Sequence, residues 1–192
     1  MVVVIIGILS ALAVPSFIRT TGESQLDGDA QTLFQDIQWA KLAAIRTSTP
    51  YFIFFHDSTV NGKMRLGWSV VDSATRTVRK SGVTGVSVRL GLPAGVSAPD
   101  PAAVPEFDKL GSISSAGFQL GLSGATQCAN GSSESWSDSA KTCGGAVGDM
   151  ETGAIYLYSE RSDARAYVMV YNRSKNLSLK RFRYMGGAWE AM

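Results

Sequence analysis

The sequence predicts an α+β domain in which one long N-terminal helix packs on a mainly antiparallel β-sheet. Three observations carry this reading. An apolar run opens the chain and leads, past a short polar stretch, into residues with helical periodicity. After Pro50 the pattern changes to the two-residue period of strands. Clusters of Gly, Asn and Pro then separate one candidate strand from the next. At 192 residues the chain is long enough for one domain with a substantial core.

Residues 1–18, MVVVIIGILSALAVPSFI, carry no charged side chain before Arg19. At about 1.5 Å per residue they would make roughly 27 Å of helix, close to a hydrocarbon core of about 30 Å. Their many β-branched residues are mediocre helix formers in water, but in lipid a single span satisfies its backbone only as a helix. Three readings fit such a segment. A secretory signal peptide would use Ala11-Leu12-Ala13 as its cleavage site, yet no basic region precedes the apolar stretch. A plain N-terminal anchor needs only length and apolarity. The third reading is a filament-forming helix, apolar all round, that packs first against lipid and then against sister helices. Pro15 would remove one i−4 hydrogen bond in it and bend or locally melt the helix.

Ile5-Ile6-Gly7-Ile8-Leu9-Ser10-Ala11-Leu12-Ala13-Val14-Pro15 resembles, almost residue for residue, the N-terminal helix of type IV pilins and pseudopilins. The resemblance puts Gly7 and Pro15 where that family has its glycine and its helix-kinking proline. It implies other pilin or pseudopilin subunits and inner-membrane lipid as partners, and it implies methylation of the processed N-terminus. Family members also have a basic leader, a cleavage-site glycine and an assembly glutamate. None of these is found here, so the expectation is a chain shortened at its N-terminus.

Residues 19–29 (RTTGESQLDGD) read as a loosened polar hinge. Apolar residues then recur at Leu26, Ala30, Leu33, Ile37, Ala40 and Ala44, a helical stripe broadened by Phe34 and Ile45. Asp27 and Asp29 suit a helix start, and Pro50 marks the end. The organisation is therefore a membrane or filament-core segment at 1–18, hinge and amphipathic helix at 19–49, and a β-rich periplasmic domain at 50–192.

Strands are expected at 51–55, 66–71, 83–90, 118–122, 154–159, 166–171 and 177–184. Asn61-Gly62 is the strongest hairpin turn among them. Residues 91–105 hold four prolines and read as an exposed loop. Residues 123–153 read as a long Gly/Ser-rich loop containing Cys128 and Cys143, which belong to no CxxC and no zinc spacing. A disulfide between them would contribute about 3 kcal/mol and needs an oxidising compartment such as the periplasm; two buried free thiols are the alternative.

Ala40-Lys41-Leu42-Ala43-Ala44-Ile45-Arg46-Thr47, Gly67-Trp68-Ser69-Val70, Gly153-Ala154-Ile155-Tyr156-Leu157 and Gly187-Ala188-Trp189 are similar, in that order, to H-type pseudopilins (GspH) and FimT-like minor pilins. This resemblance implies a non-catalytic subunit of a type II secretion system or type IV pilus. Such a subunit is single-pass in the bacterial inner membrane and sits near the filament tip, where its loops meet other subunits or secreted cargo.

Charge gives a second lead. The formal net charge is only +2, yet residues 95–160 hold eight acids against Lys109 and Lys141, whereas 161–183 are basic. Within the basic region Arg173, Lys175, Lys180, Arg181 and Arg183 interleave with Phe182 and Tyr184, which suits phosphates and unstacked bases. FimT-like minor pilins of competent bacteria carry a similar basic motif that contacts DNA. Theirs begins Gly-Arg, whereas Ser178-Leu179 precede Lys180-Arg181 here. The competing readings are a solvated strand face or pairing with the acidic segment 134–160.

Catalytic signals are weak. His56 is the sole histidine and reads as a strand-end surface residue. Gly121-Leu122-Ser123-Gly124-Ala125 misses the nucleophile-elbow pattern at its last position. Asp149 and Glu151 read as a solvated turn rather than a calcium loop. With no phosphate-binding glycine loop, dinucleotide fingerprint or HExxH, neither cofactor nor metal is assigned.

Overall fold

Helical and strand periods sort the polypeptide into one helix laid against two β-sheets. The computed structural model describes residues 2–97, 110–112, 118–121, 124–127, 152–172 and 178–192, with side chains placed for 20–97, 154–161, 166–169 and 179–192. Helix α1 spans Val2–Thr47 and is followed by β1 (Tyr51–Val60), β2 (Lys63–Asp72), β3 (Val78–Val83) and β4 (Val88–Leu90). Then come β5 (Leu110–Ser112), β6 (Phe118–Gly121), β7 (Gly124–Gln127), β8 (Thr152–Ser159), β9 (Ser162–Asn172), β10 (Ser178–Met185) and β11 (Ala188–Ala191).

The expected stripe forms the spine of the core. Leu26, Ala30, Leu33, Ile37, Ala40 and Ala44 are at most 2% exposed, because spacings of three and four residues keep them on one side of the helix. Ile45 lies about 100° round from Ala44, so it does not widen the stripe and is 47% exposed. Ser48 takes a left-handed φ of 54° just past the last helical residue, and Pro50, which has no N–H, begins the next segment.

Two expectations about the start of this helix are corrected. Residues 19–29 are helical rather than a loosened hinge. Gly22 serves close approach there: a Cβ on it would lie 3.0 Å from Cβ of Arg161 in the β8–β9 turn. Asp27 and Asp29 therefore sit inside a helix and not at its first turn. Among the described residues no helix is long and apolar enough to cross a membrane, a statement that concerns α1 from Thr20 onward, where side chains are placed. Gly7 and Pro15 fall within the helical span, and their surroundings lie outside the described residues.

The first sheet has the order β3-β2-β1-β6-β7. Its β1–β2 hairpin turns at Asn61-Gly62, both with positive φ (52° and 70°), the conformation of a turn whose twist matches the strands. The second sheet has the order β11-β10-β9-β8-β4, and β5 adds in parallel to β8. Strands β4 and β5 share one edge of β8, pairing at Leu157–Ser159 and Thr152–Ala154 respectively. Apart from β5, the described pairings are antiparallel.

Residues 83–90, expected as one strand, are two. The chain leaves the first sheet after Val83 and joins the second at Val88. The crossing is held by Thr84 N–H donating to Leu66 O (2.8 Å) and Gly85 N–H donating to the Asp29 carboxylate (2.6 Å). Strands β3 and β11 were not expected, since each exposes most of its residues and shows no apolar alternation.

The main core lies where α1 meets both sheets. Tyr51, Ile53, Phe55, Trp68 and Val70 come from the first sheet and Ile155, Leu157, Tyr167 and Met169 from the second. Phe52 and Phe54 pack with Val71 on the opposite face of the first sheet, so Tyr51–Phe55 is apolar without alternation. Ala154, Val168 and Phe182 form a smaller cluster on the other face of the second sheet, under Tyr156 and Trp189. The proline-rich stretch is not wholly exposed: Pro93 is buried, and Trp189 Nε1–H donates to Ser97 O (3.2 Å). Residues 98–105, Cys128, Cys143, Asp149 and Glu151 lie outside the described residues.

Candidate functional site

The sequence-flagged cations are divided by the pleat of β10. Alternate residues point to opposite faces, so Arg181 and Arg183 share one face while Lys180, Phe182 and Tyr184 share the other. Arg181 donates to Gln31 Oε1 of α1 and lies 5.5 Å from the Phe34 ring and 5.8 Å from the Tyr167 ring. Arg183 stands opposite Tyr167 in the ladder and is 3.6 Å from Glu190. Tyr184 packs on Trp189 with ring centroids 5.3 Å apart, and Trp189 also meets Tyr156 at 6.3 Å. Lys180 is exposed on this second face. Arg173 and Lys175 lie outside the described residues.

His56 is not at a strand end. It lies within β1, half-buried, with Nε2 3.1 Å from Ser69 Oγ and its ring over Gly67, where a Cβ would come within 2.5 Å of it. Gly121 pairs with Gly124 in a β6–β7 hairpin, so this stretch joins strand to strand, not strand to helix as an activated nucleophile needs. Among the described residues no three His, Cys, Asp or Glu side chains converge as a metal site would require.

The polar side chains of α1 that matter are three carboxylates bonded to the sheets. Asp36, only 7% exposed, accepts from Trp68 Nε1 (3.0 Å) and Lys80 Nζ (2.9 Å). Asp27 accepts from the Tyr167 hydroxyl at 2.6 Å. Burial, and then the bond and charge of Asp27, push that hydroxyl up to about 12. Asp29 accepts from Gly85 N–H; burial raises its carboxyl above the ordinary 3.8, against the opposing pulls of that N–H and of Arg65. These bonds fix the rotation of the helix over the sheets, so its remaining faces are held in place.

A concavity lies at the C-terminal end of α1, beside the edge strand β3. It is a cleft of about 490 Å³ between Trp39, Leu42 and Arg46 of α1, Tyr51 of β1 and Arg79 of β3. Trp39 and Tyr51 meet edge to face at 5.8 Å, and the Lys80 ammonium sits 5.2 Å from the Trp39 ring. Leu42 is 66% exposed. Sequence reasoning missed this site, although Leu42 and Ile45, apolar and off the buried stripe, were a readable sign of a second apolar patch.

The family model of the type II transport protein GspH matches residues 29–138, from the packed half of α1 through the first sheet and strands β4 and β5 of the second. The chain belongs to this family. Comparison with curated proteins and with solved structures finds no match. GspH membership agrees with the resemblance read at residues 40–47 and 67–70 and with a helix-on-sheet, pilin-like arrangement. GspH proteins are structural pseudopilin subunits.

Proposed function

We propose that this GspH-family chain is a non-catalytic minor pseudopilin of a type II secretion system. Residues 1–18 hold it in the inner membrane until α1 carries it into the pseudopilus, near the tip, with the domain of residues 50–192 in the periplasm. The observation that supports this most is the continuity of α1 across Val2–Thr47. Its second half is bonded into the core by Asp27, Asp29 and Asp36, and the same helix continues back through the apolar run. Anything that pulls on residues 1–18 therefore moves the whole domain, as incorporation into a filament requires.

The test is to express the full chain in a host carrying the other pseudopilins, with a single cysteine at Ala11 in a background where Cys128 and Cys143 are Ser. Oxidative crosslinking to another pseudopilin in the membrane fraction is expected. A chain found free in the periplasm with no crosslink overturns the proposal. For the DNA-contacting alternative, the described residues give only that Arg181 donates to Gln31 of α1 and that Arg183 lies 3.6 Å from Glu190.

A further inference from the structure

The cleft at the end of α1 joins three features. Strand β3 is terminal in its sheet, so its outer N–H and C=O groups have no strand partner among the described residues. An open strand edge of this kind accepts an added strand. Next to it, Trp39 and Tyr51 form an aromatic floor beneath Leu42, and the cleft volume suits one large apolar side chain. The rim is basic. Among the described residues its two charged lining residues are Arg46 of α1 and Arg79 of β3, and no acid lines it. Lys80 answers Asp36 at 2.9 Å and Arg79 answers Asp72 at 3.1 Å. Arg46 has no carboxylate partner among the described residues and is exposed at the mouth of the cleft.

A helix end attracts cations, so Arg46 has a structural role in the α1 dipole. That role does not account for Leu42 beside it, an exposed leucine over an aromatic floor. Lysine and arginine also guard strand edges against unwanted pairing. Here Lys80 turns inward to Asp36 and Arg79 is held by Asp72, and the strand also exposes Val78, Ser81 and Val83, of which Val78 and Val83 are 43% and 40% exposed. An apolar floor, an edge with no strand partner among the described residues and the exposed Arg46 guanidinium together suit one class of occupant: an extended peptide segment carrying acids beside an aromatic or aliphatic residue.

We infer that this cleft docks such an acidic extended segment from another subunit of the pseudopilus. The segment adds to β3 as a strand, places its apolar side chain on Trp39 and Tyr51, and sets a carboxylate on Arg46. The identity of the partner as a fellow subunit rests on the function proposed above; the chemistry of the cleft does not. A nucleic acid would use the basic rim but not the strand edge, so it is the alternative that the test must separate.

The test uses the full chain in detergent micelles and fluorescence anisotropy with a fluorescein-labelled synthetic peptide, Glu-Val-Glu-Trp-Glu-Val-Glu. Binding in the range of about 1–100 μM is expected. Arg46→Glu and Leu42→Asp, both at exposed positions, should each weaken it about tenfold or more while the circular dichroism of the fold is kept, with a small loss of stability from the added negative charge at the end of α1. Replacing the peptide's glutamates by lysine should restore binding to Arg46→Glu but not to the parent chain. N-methylation of alternate peptide amides should abolish binding if the segment adds as a strand. No binding at about 1 mM, binding indifferent to both substitutions, or binding of a fluorescein-labelled thymidine 20-mer in place of the peptide overturns the inference. None of these readings depends on membrane insertion or filament assembly, so they fail or succeed separately from the crosslinking test.

Discussion

At the scale of single residues, two carboxylates in similar surroundings respond to pH in opposite directions. Burial alone would raise Asp72, but the Arg79 guanidinium at 3.1 Å and the N–H groups of Thr75 and Ala74 overcome it and hold its carboxyl below 3.8. The folded state therefore holds its proton less tightly than the unfolded chain, and the stabilisation is present above 3.8 and lost as pH falls through the folded value. Asp29 is the reverse. Its folded value is raised, so stability increases as pH falls through that raised value toward 3.8. Denaturation of Asp72→Asn and Asp29→Asn across about pH 3–7 checks both signs. Asp72→Asn should be less stable than the parent near neutrality by about 1 kcal/mol, a modest figure because Arg79 is half exposed, and the gap should close in acid. Asp29→Asn keeps an oxygen for Gly85 N–H and should match or exceed the parent near neutrality, with its advantage shrinking in acid.

At the scale of elements, the same substitution has opposite effects in helix and strand. Gly28 lies in α1, where an added Cβ would meet nothing within 4 Å, so Gly28→Ala should stabilise the protein by up to about 1 kcal/mol through helix propensity. Gly82 lies in β3 directly against the indole of Trp68, where a Cβ would come within 2.1 Å of Cζ2. Trp68 is 1% exposed and tethered to Asp36, so it has nowhere to retreat, and Gly82→Ala should destabilise by about 2–3 kcal/mol. Equilibrium denaturation of the two variants measures both effects, and a Gly82→Ala as stable as the parent would refute the packing account. Such elements also show what the sequence makes legible. The stripe from Leu26 to Ala44 was readable because one buried side imposes its period on every turn. The Asn61-Gly62 hairpin was readable because the turn demands residues that tolerate positive φ. Strand β3 was not, since an edge strand exposing Val78, Arg79, Ser81 and Val83 has no apolar alternation to read. The break at Thr84-Gly85 depends on Asp29, more than fifty positions earlier in the chain, and no local pattern records it. The cleft was hidden for the same reason: Arg46, Tyr51 and Arg79 converge only after α1 and the first sheet have packed.

At the scale of the whole molecule, α1 joins an apolar N-terminal run to the packed domain. From Leu26 onward it supplies the central row of the core, and Asp27, Asp29, Gln31 and Asp36 bond it to the sheets. The buried row on α1 that builds this core starts at Leu26, and removal of residues 1–18 is expected to leave the fold intact. A chain beginning at Arg19 is expected to be water-soluble without detergent. Its denaturation free energy should match that of the parent in micelles within about 0.5 kcal/mol, the scatter usual for changes away from packed or bonded groups. Its far-ultraviolet circular dichroism should lose helical signal in proportion to the residues removed and keep its strand signal. If the shortened chain instead unfolds or aggregates, the apolar segment is part of the domain's own core, and the division of labour along α1 is wrong. If it folds but still sediments with membranes, the domain itself binds lipid and residues 1–18 are not the anchor. A soluble, equally stable chain that no longer enters the membrane fraction is the outcome expected from the proposed function, in which a filament subunit keeps its shape while its leading helix exchanges lipid for neighbouring helices.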